Sequence, residues 1–296
     1  MSNPAYVLGH SDREIARLRV QARLLEPITR QFLREAGITA DMRVLDIGSG
    51  AGDVAFLAAQ LIGESGEVIG TDTATAAVAA ATRGAQERGL HNVSFRAGDP
   101  AHMKFDQLFD AVIGRYVLLF QANPAETLRK LSRHLRPGGL LAFHEPDWVS
   151  ARSTPPCATY DRCIAWIRGT FQTAGTDSDM ASRLYAMFID AGLPPPSMRM
   201  QTFIGGGTAC SDFLHAVADL IGTLVPTMER QGITSAAEVG AATLAERLNL
   251  EVTAKGSVVV GRSEVCAWTR LPIRPGSSGI RRSRSLDGTD GVDNPS

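Results

Sequence analysis

At 296 residues, with 44% hydrophobic and 21% charged side chains, the chain has the composition of a globular protein and can bury one substantial core. A net charge of −1 supplies no field for nucleic acid or an anionic membrane, which disfavours a nucleic-acid partner. No apolar run approaches bilayer length, the opening MSNPAYVLGHSDRE lacks the regions of a signal peptide, and Cys157, Cys163, Cys210 and Cys266 form neither a disulfide framework nor a CxxC metal site, so a reduced, cytoplasmic chain with no membrane segment and no metal is expected.

In chain order, residues 11–36 read as helix: Ser11 and Glu14 make a capping box, and Ile15, Leu18, Ala22 and Leu25 recur at helical spacing. Pro27 predicts a break into two helices, ended near Gly37. From Met42 short strands alternate with helices: RVLDIG, then VAFLAAQLIG; EVIGTD, then an Ala-rich helix over 74–88; NVSFRAGD; and FDAVIGRYVLLF before a helix over 124–135. The turn LRPGG opens a fifth strand, LLAFHEPD. This alternation predicts an α/β, Rossmann-like doubly wound sheet, with ligands outside the carboxyl ends of the strands. Beyond Asp147 come helices over 155–174 and 178–191, a strand SMRMQTFIG, helices over 209–230 and 235–248, and a closing strand GSVVVGRSEVCAWTRL. The expected sheet is mostly parallel and seven-stranded, in a domain over 41–272, with helical insertions at 148–177 and 207–255 above it. Residues 273–296, with IRRSRS among Gly, Ser and Asp, carry no apolar periodicity and are expected to be a disordered tail.

The turn VLDIGSGAGD carries Gly48, Gly50 and Gly52 between strand and helix. A dinucleotide fingerprint needs its third glycine at position 53, which is Asp53. Asp46, two residues before the first glycine, would repel a pyrophosphate and suits a ligand carrying positive charge, such as S-adenosylmethionine. Asp72 ends the second strand, where a carboxylate can accept ribose hydroxyls, and Asp99 follows the third.

With VLDIGSGAGD, GTD at 70–72, AGD at 97–99, FDAVIGRYVL at 109–118 and LRPGGLLAFHE at 135–145 in order, residues 40–147 resemble the class I S-adenosylmethionine-dependent methyltransferases, in their small-molecule branch. YVLGHSDREIARLRVQ resembles an N-terminal segment of a bacterial, quinone methyltransferase-like branch, where it folds over the cofactor, which implies a helical lid over residues 1–40. The resemblance implies that Gly48, Ser49, Gly50 and Gly52 approach the methionine part and ribose, and that Asp46 holds the ammonium. It further implies that Asp72 binds the ribose with Thr73 beside the adenine, that Gly98 and Asp99 meet the adenine, and that Arg115 and Tyr116 flank the methionyl end.

Methyl transfer from a sulfonium is an in-line displacement that needs alignment and exclusion of water, and a base only for an acceptor that must first lose a proton. Candidate catalytic residues are His144 and Glu145, which strand alternation points to opposite faces, and Tyr6, with His10 also on the lid. His144 reads either as a base or as a strand-end histidine satisfied by neighbouring backbone; Glu145 either lines the pocket or bonds the sheet's own backbone. Gln21 could reach the methionine carboxylate. Trp148, Tyr160, Trp166, Phe171, Phe203, Phe213 and His215 would build an apolar chamber for an aromatic or terpenoid-sized acceptor, although helical aromatics are more often core. The expected activity is transfer of a methyl group to an O, N or C nucleophile of a small secondary metabolite, with a homo-oligomer left open. Three readings compete with it. An RNA or protein methyltransferase is one, against which GRYV stands where base-methylating enzymes carry (N/D)PP(Y/F); an NAD-linked oxidoreductase and a non-catalytic S-adenosylmethionine-binding module are the others.

Overall fold

The computed structural model describes residues 12–176 and 178–273, with side chains from Leu24 onward. Helix α1 (Asp12–Ala36) runs unbroken through Pro27, against the expected division into two helices. Its buried side chains Leu25, Thr29, Phe32, Leu33 and Ala36 fall on one helical face, and that packing holds the helix together across the proline. It ends at Gly37, where the Ile38 N–H bonds the Leu33 carbonyl.

The alternating segment follows: β1 (Arg43–Ile47), α2 (Asp53–Ile62), β2 (Glu67–Asp72), α3 (Thr75–Glu87), β3 (Val93–Ala97), β4 (Phe109–Arg115), α4 (Pro124–Ser132) and β5 (Leu135–Asp147). Asn123 caps α4 by accepting the Glu126 N–H, with Pro124 in the first turn. The remainder is β6 (Arg152–Thr154), α5 (Ala158–Thr173), α6 (Met180–Asp190), β7 (Ser197–Gly206), α7 (Ser211–Arg230), α8 (Ala236–Val239), α9 (Leu244–Lys255) and β8 (Val258–Arg270). Two expectations shift here. The sheet has eight strands, because the short β6 was not foreseen, and the helix expected over 235–248 is instead a single turn capped by Ser235, a left-handed Gly240, and then α9.

Strands β3, β2, β1, β4 and β5 lie side by side in parallel, and β8 joins β5 antiparallel. Because β8 residues 258–260 pair with both β6 and β7, and residues 263–268 with both β5 and β7, β5 and β6 share one edge of β8 and β7 takes the other. Strand order reverses between β1 and β4, which opens a crevice at their carboxyl ends. Alternation along β1 sends Val44 to the face covered by α1 and α2, and Leu45 and Ile47 to the face covered by α4 and α6. A third apolar cluster, built from α5, α7 and α9, forms a helical cap.

The segment Gly207–Arg230, α7 with the 3-10 turn before it, is long and apolar enough by length and composition to cross a bilayer, contrary to the sequence expectation. Half of its most apolar stretch is buried inside the fold, in the cap cluster. The Ser11 end of the expected capping box and the tail from residue 274 lie outside the described residues.

Candidate active site

The carboxyl ends of β1, β2 and β4 meet at the glycine turn. Ser49 N–H bonds the Thr71 carbonyl at 2.9 Å and Gly52 N–H bonds the Ser49 carbonyl at 2.8 Å, so the turn is pinned to β2 and to itself. Gly52 adopts φ +93°, and a Cβ there would lie 2.7 Å from the Phe56 ring and 2.9 Å from that of Phe95. Glycine is required both by conformation and by space. Gly50, at φ +53°, has no atom within 4 Å of where its Cβ would point, and its N–H bonds Asp72 Oδ2 at 2.9 Å. The other Asp72 oxygen accepts the Ala74 N–H at 2.8 Å, which fixes the carboxylate at the mouth of the turn while each oxygen keeps a further lone pair.

Asp46 is 1% exposed. Among the described residues its Oδ2 and the Ser49 hydroxyl are buried with no hydrogen-bond partner, a state that costs free energy unless a ligand satisfies it. Burial raises the Asp46 pKa to about 8, against the opposing pull of Arg115. An ammonium group and hydrogen-bond donors brought to this turn would relieve both orphaned atoms. The residues present therefore fit the amino-acid end and ribose of S-adenosylmethionine.

Thr73 and Asp99 are exposed; the Asp99 carboxylate accepts the Ala101 N–H and pairs with His102 Nδ1 at 2.9 Å, so an adenine amine would share it with a surface histidine. Gly98 N–H bonds the Asp72 carbonyl at 2.9 Å, holding the β3 end against β2. Arg115 ends β4 and donates to Thr29 Oγ1 at 3.2 Å. Tyr116 follows with φ +60°, a conformation costly for a non-glycine residue and found where function over-determines the backbone.

That backbone turn sends the Tyr116 ring into a buried network. Tyr116 Oη donates to Glu264 Oε2 at 2.5 Å, Arg262 Nε bonds Glu264 Oε1 at 2.7 Å, and an Arg262 Nη donates to Tyr116 Oη at 3.0 Å. His144 Nε2 lies 3.0 Å from Glu264 Oε2, and its Nδ1 lies 3.4 Å from Thr29 Oγ1. Because Thr29 accepts from Arg115, its hydroxyl hydrogen is available to His144 Nδ1, which leaves Nε2–H to donate to Glu264. Burial lowers the His144 pKa, so the ring is neutral. Burial alone would raise Glu264, but Arg262, His144 and Tyr116 outweigh it and hold the carboxyl below its usual range.

His144 is thus satisfied by side chains, not by the backbone expected of a strand-end histidine, and both ring nitrogens are engaged. Glu145 points to the opposite face, as alternation requires, and takes the N–H groups of Val117 and Leu118 on Oε1 at 3.0 and 2.8 Å. Burial raises it to about 8, and those backbone donors oppose the rise. It fastens the turn after β4 and lies away from open space at 0% exposure. Tyr6 and His10 lie outside the described residues; Gln21 is on α1, but its side chain is not described.

Beside this network is a cavity of about 450 Å³ between α1, α7, β7 and β8. Leu25, Ile28, Phe203, Phe213 and Leu220 give it apolar walls, and Arg262 and Glu264 give it a charged patch. Of the aromatics expected to form a chamber, only Phe203 and Phe213, stacked 4.7 Å apart, line it. Trp148, Tyr160, Trp166 and Phe171 pack into the cap core, and exposed His215 bonds the Ser211 carbonyl. Sequence reading missed Thr29, Arg262 and Glu264. Their trace is two charged residues, spaced i and i+2, inside the apolar run GSVVVGRSEVCAW, where a buried strand face would otherwise be hydrophobic.

A family model for a methyltransferase domain matches residues 38–192, just over half of the chain. Aklanonic acid methyltransferase DauC of Streptomyces sp. (strain C5) is 33% identical over 129 residues, 43% of this chain and 59% of that protein. Nocamycin O-methyltransferase of Saccharothrix syringae is 38% identical over 122 residues, 40% of this chain and 43% of that protein. Both matches therefore span less than two thirds of the relative's length. Among solved structures, YcgJ of Bacillus subtilis superposes with a TM-score of 0.52 at 20% identity, covering 82% of this chain and 97% of that one, which shows the shared fold. Together with the pinned glycine turn and the carboxylates at the ends of β1 and β2, these matches place the chain in the class I family of S-adenosylmethionine-dependent methyltransferases.

Proposed function

We propose that this chain transfers the methyl group of S-adenosylmethionine to an O, N or C nucleophile of a small, largely apolar molecule of secondary metabolism. The observation that carries the cofactor half is the buried pair of orphaned atoms, Asp46 Oδ2 and Ser49 Oγ, in a turn already pinned to Asp72. The cavity between α1 and the cap supports the acceptor half by its size and its apolar walls. The small-molecule acceptors in the names of the relatives, aklanonic acid and nocamycin, point the same way.

In this reading the cofactor supplies an electrophilic methyl on a sulfonium. Asp46 holds the ammonium, Gly48, Ser49, Gly50 and Gly52 admit the methionyl and ribose parts, and Asp72 accepts ribose hydroxyls. Thr73, Gly98 and Asp99 border the adenine. Arg115 and Tyr116 flank the methionyl end, with Gln21 and Tyr6 contributed by the N-terminal lid. The chain accelerates the reaction by alignment and by excluding water. His144 and Glu145 serve as supports, His144 behind Glu264 and Glu145 under the turn after β4, since both His144 nitrogens and Glu145 Oε1 are engaged in internal hydrogen bonds. A cytoplasmic location accompanies this reading.

Calorimetric titration with S-adenosylmethionine should show saturable binding, and Asp72→Ala should weaken it at least about tenfold, the loss expected when hydrogen bonds to a charged group are removed. Unchanged affinity would remove the ribose assignment. A labelled-methyl screen of small-molecule extracts then tests the acceptor class; label appearing only in RNA or protein would transfer the activity to a macromolecule, and no label at all would leave a binding module.

A further inference from the structure

The charged patch in the cavity wall is not a base. Glu264 takes hydrogen bonds from Arg262, Tyr116 and His144, and the His144 nitrogens are occupied by Glu264 and Thr29. A proton-abstracting role would require breaking this arrangement. What the patch offers instead is a cation. Arg262 lines the cavity, is 13% exposed, and spends Nε and one Nη on Glu264 and Tyr116. Among the described residues its other Nη makes no hydrogen bond. The guanidinium lies against two rings, 5.0 Å from the Trp148 centroid and 5.6 Å from that of Tyr116, which fix its plane.

Charge balance sharpens the point. The connected buried network holds two guanidinium groups, Arg115 and Arg262, against one ionised carboxylate, Glu264, while His144 stays neutral. Asp46, beside Arg115, holds its proton near neutral pH in the absence of a ligand. Exposed Asp219, also in the cavity wall, is a solvated charge and does not offset a buried one. In the ligand-free chain the hydrogen-bonded network beside the cavity therefore carries uncompensated positive charge.

We propose that Arg262 is the specificity-determining residue of the acceptor cavity, and that it selects flat, apolar acceptors carrying an acidic oxygen: a phenol, an enol or a carboxylate bound as its anion. This deepens the methyl-transfer reading and rests on it for the word acceptor, but the binding claim stands on its own. An acceptor delivered as an anion also needs no general base. Glu264 is then a positioning residue that holds the guanidinium toward the cavity.

The test uses the full chain with S-adenosylhomocysteine present and three probes: 2-naphthoate, 2-naphthalenemethanol and 2-naphthylmethylamine. The wild type should bind 2-naphthoate at one site and more tightly than either of the others. Arg262→Gln should weaken 2-naphthoate by about tenfold or more, as loss of a charge-assisted hydrogen bond predicts, and leave the alcohol unchanged, while Arg262→Lys restores part of the loss. Ala216→Trp, which fills the cavity from α7, should remove binding of 2-naphthoate and the alcohol alike. A wild-type preference for the alcohol or amine, equal 2-naphthoate binding by Arg262→Gln, or retained binding in Ala216→Trp would each overturn the proposal. Titration with S-adenosylhomocysteine in every variant reports whether it is folded; if Arg262→Gln is not, the wild-type preference and Ala216→Trp still decide. Failure of the wild type itself to bind S-adenosylhomocysteine would instead defeat the methyl-transfer reading, leaving the naphthoate result to be judged separately.

Discussion

At the scale of single residues, Asp46 carries a pH signature. Its carboxyl rises from 3.8 to about 8 on folding, chiefly through burial, and Glu145 rises from 4.5 to about 8 for the same reason. A carboxyl whose pKa is raised by folding binds its proton more tightly in the native state. Between pH about 4 and about 8 the native chain thus holds more protons at these sites than the unfolded chain, and they make it less stable as pH rises through that window. Asp46→Asn, which keeps the shape and cannot ionise, should flatten the fall in melting temperature between pH 5 and 8 in ligand-free protein; an unchanged pH profile would show that Asp46 ionises freely. Binding an ammonium beside Asp46 reverses the preference and expels the proton. Calorimetry at pH 7 in buffers of different ionisation enthalpy should therefore detect proton release on S-adenosylmethionine binding in the wild type and less in Asp46→Asn.

At the scale of elements, what could be read from the letters follows the range of the forces. The parallel strands were legible because burial on both faces makes them continuous apolar runs, each followed by a turn and a helix. The glycine turn was legible because φ and close packing leave glycine alone at Gly52. Pro27 misled because a local rule, the missing N–H, was weighed without the long buried face of α1 that compensates for it. β6 was invisible because three residues make no period, and it exists only as an extension of the β5 edge against β8. Glu264 and Arg262 were overlooked because their partners, His144 and Tyr116, are more than a hundred residues away. The proline remains a local defect inside a helix held by packing, with its ring on the exposed side. Pro27→Ala restores a backbone donor, and thermal unfolding should show a gain of about 1 kcal/mol or more, reduced from the roughly 3 kcal/mol of an ideal helix interior because proline also restricts the unfolded chain. A loss of stability would mean that the fold requires a bend at this point in α1.

At the scale of the whole molecule, the apolar interior is divided. Two clusters lie on the two faces of the sheet, and the cap cluster of α5, α7 and α9 forms a third. One strand joins them: β8 contributes Val259 to the cap cluster and Val265 and Ala267 to a sheet face. The cavity beside Arg262 and Glu264 lies along this seam, walled by α7 from the cap and by β7 and β8 from the sheet. A cap with its own core can open while the sheet, which holds the glycine turn, stays closed, and such local opening is drawn from the less stable parts of a fold. Leu224, fully buried in α7, tests the division. Leu224→Ala should cost about 2–5 kcal/mol in the cap by loss of packing and creation of a cavity. If the cap is a separate cooperative unit, hydrogen exchange should quicken in α5, α7 and α9 while the amides of β1 and β4 keep their protection, and affinity for S-adenosylhomocysteine should change little. Uniform quickening across both regions would show that cap and sheet open as one, in which case the glycine turn and the cavity must be ordered together and entry to the cavity cannot be gated by the cap alone.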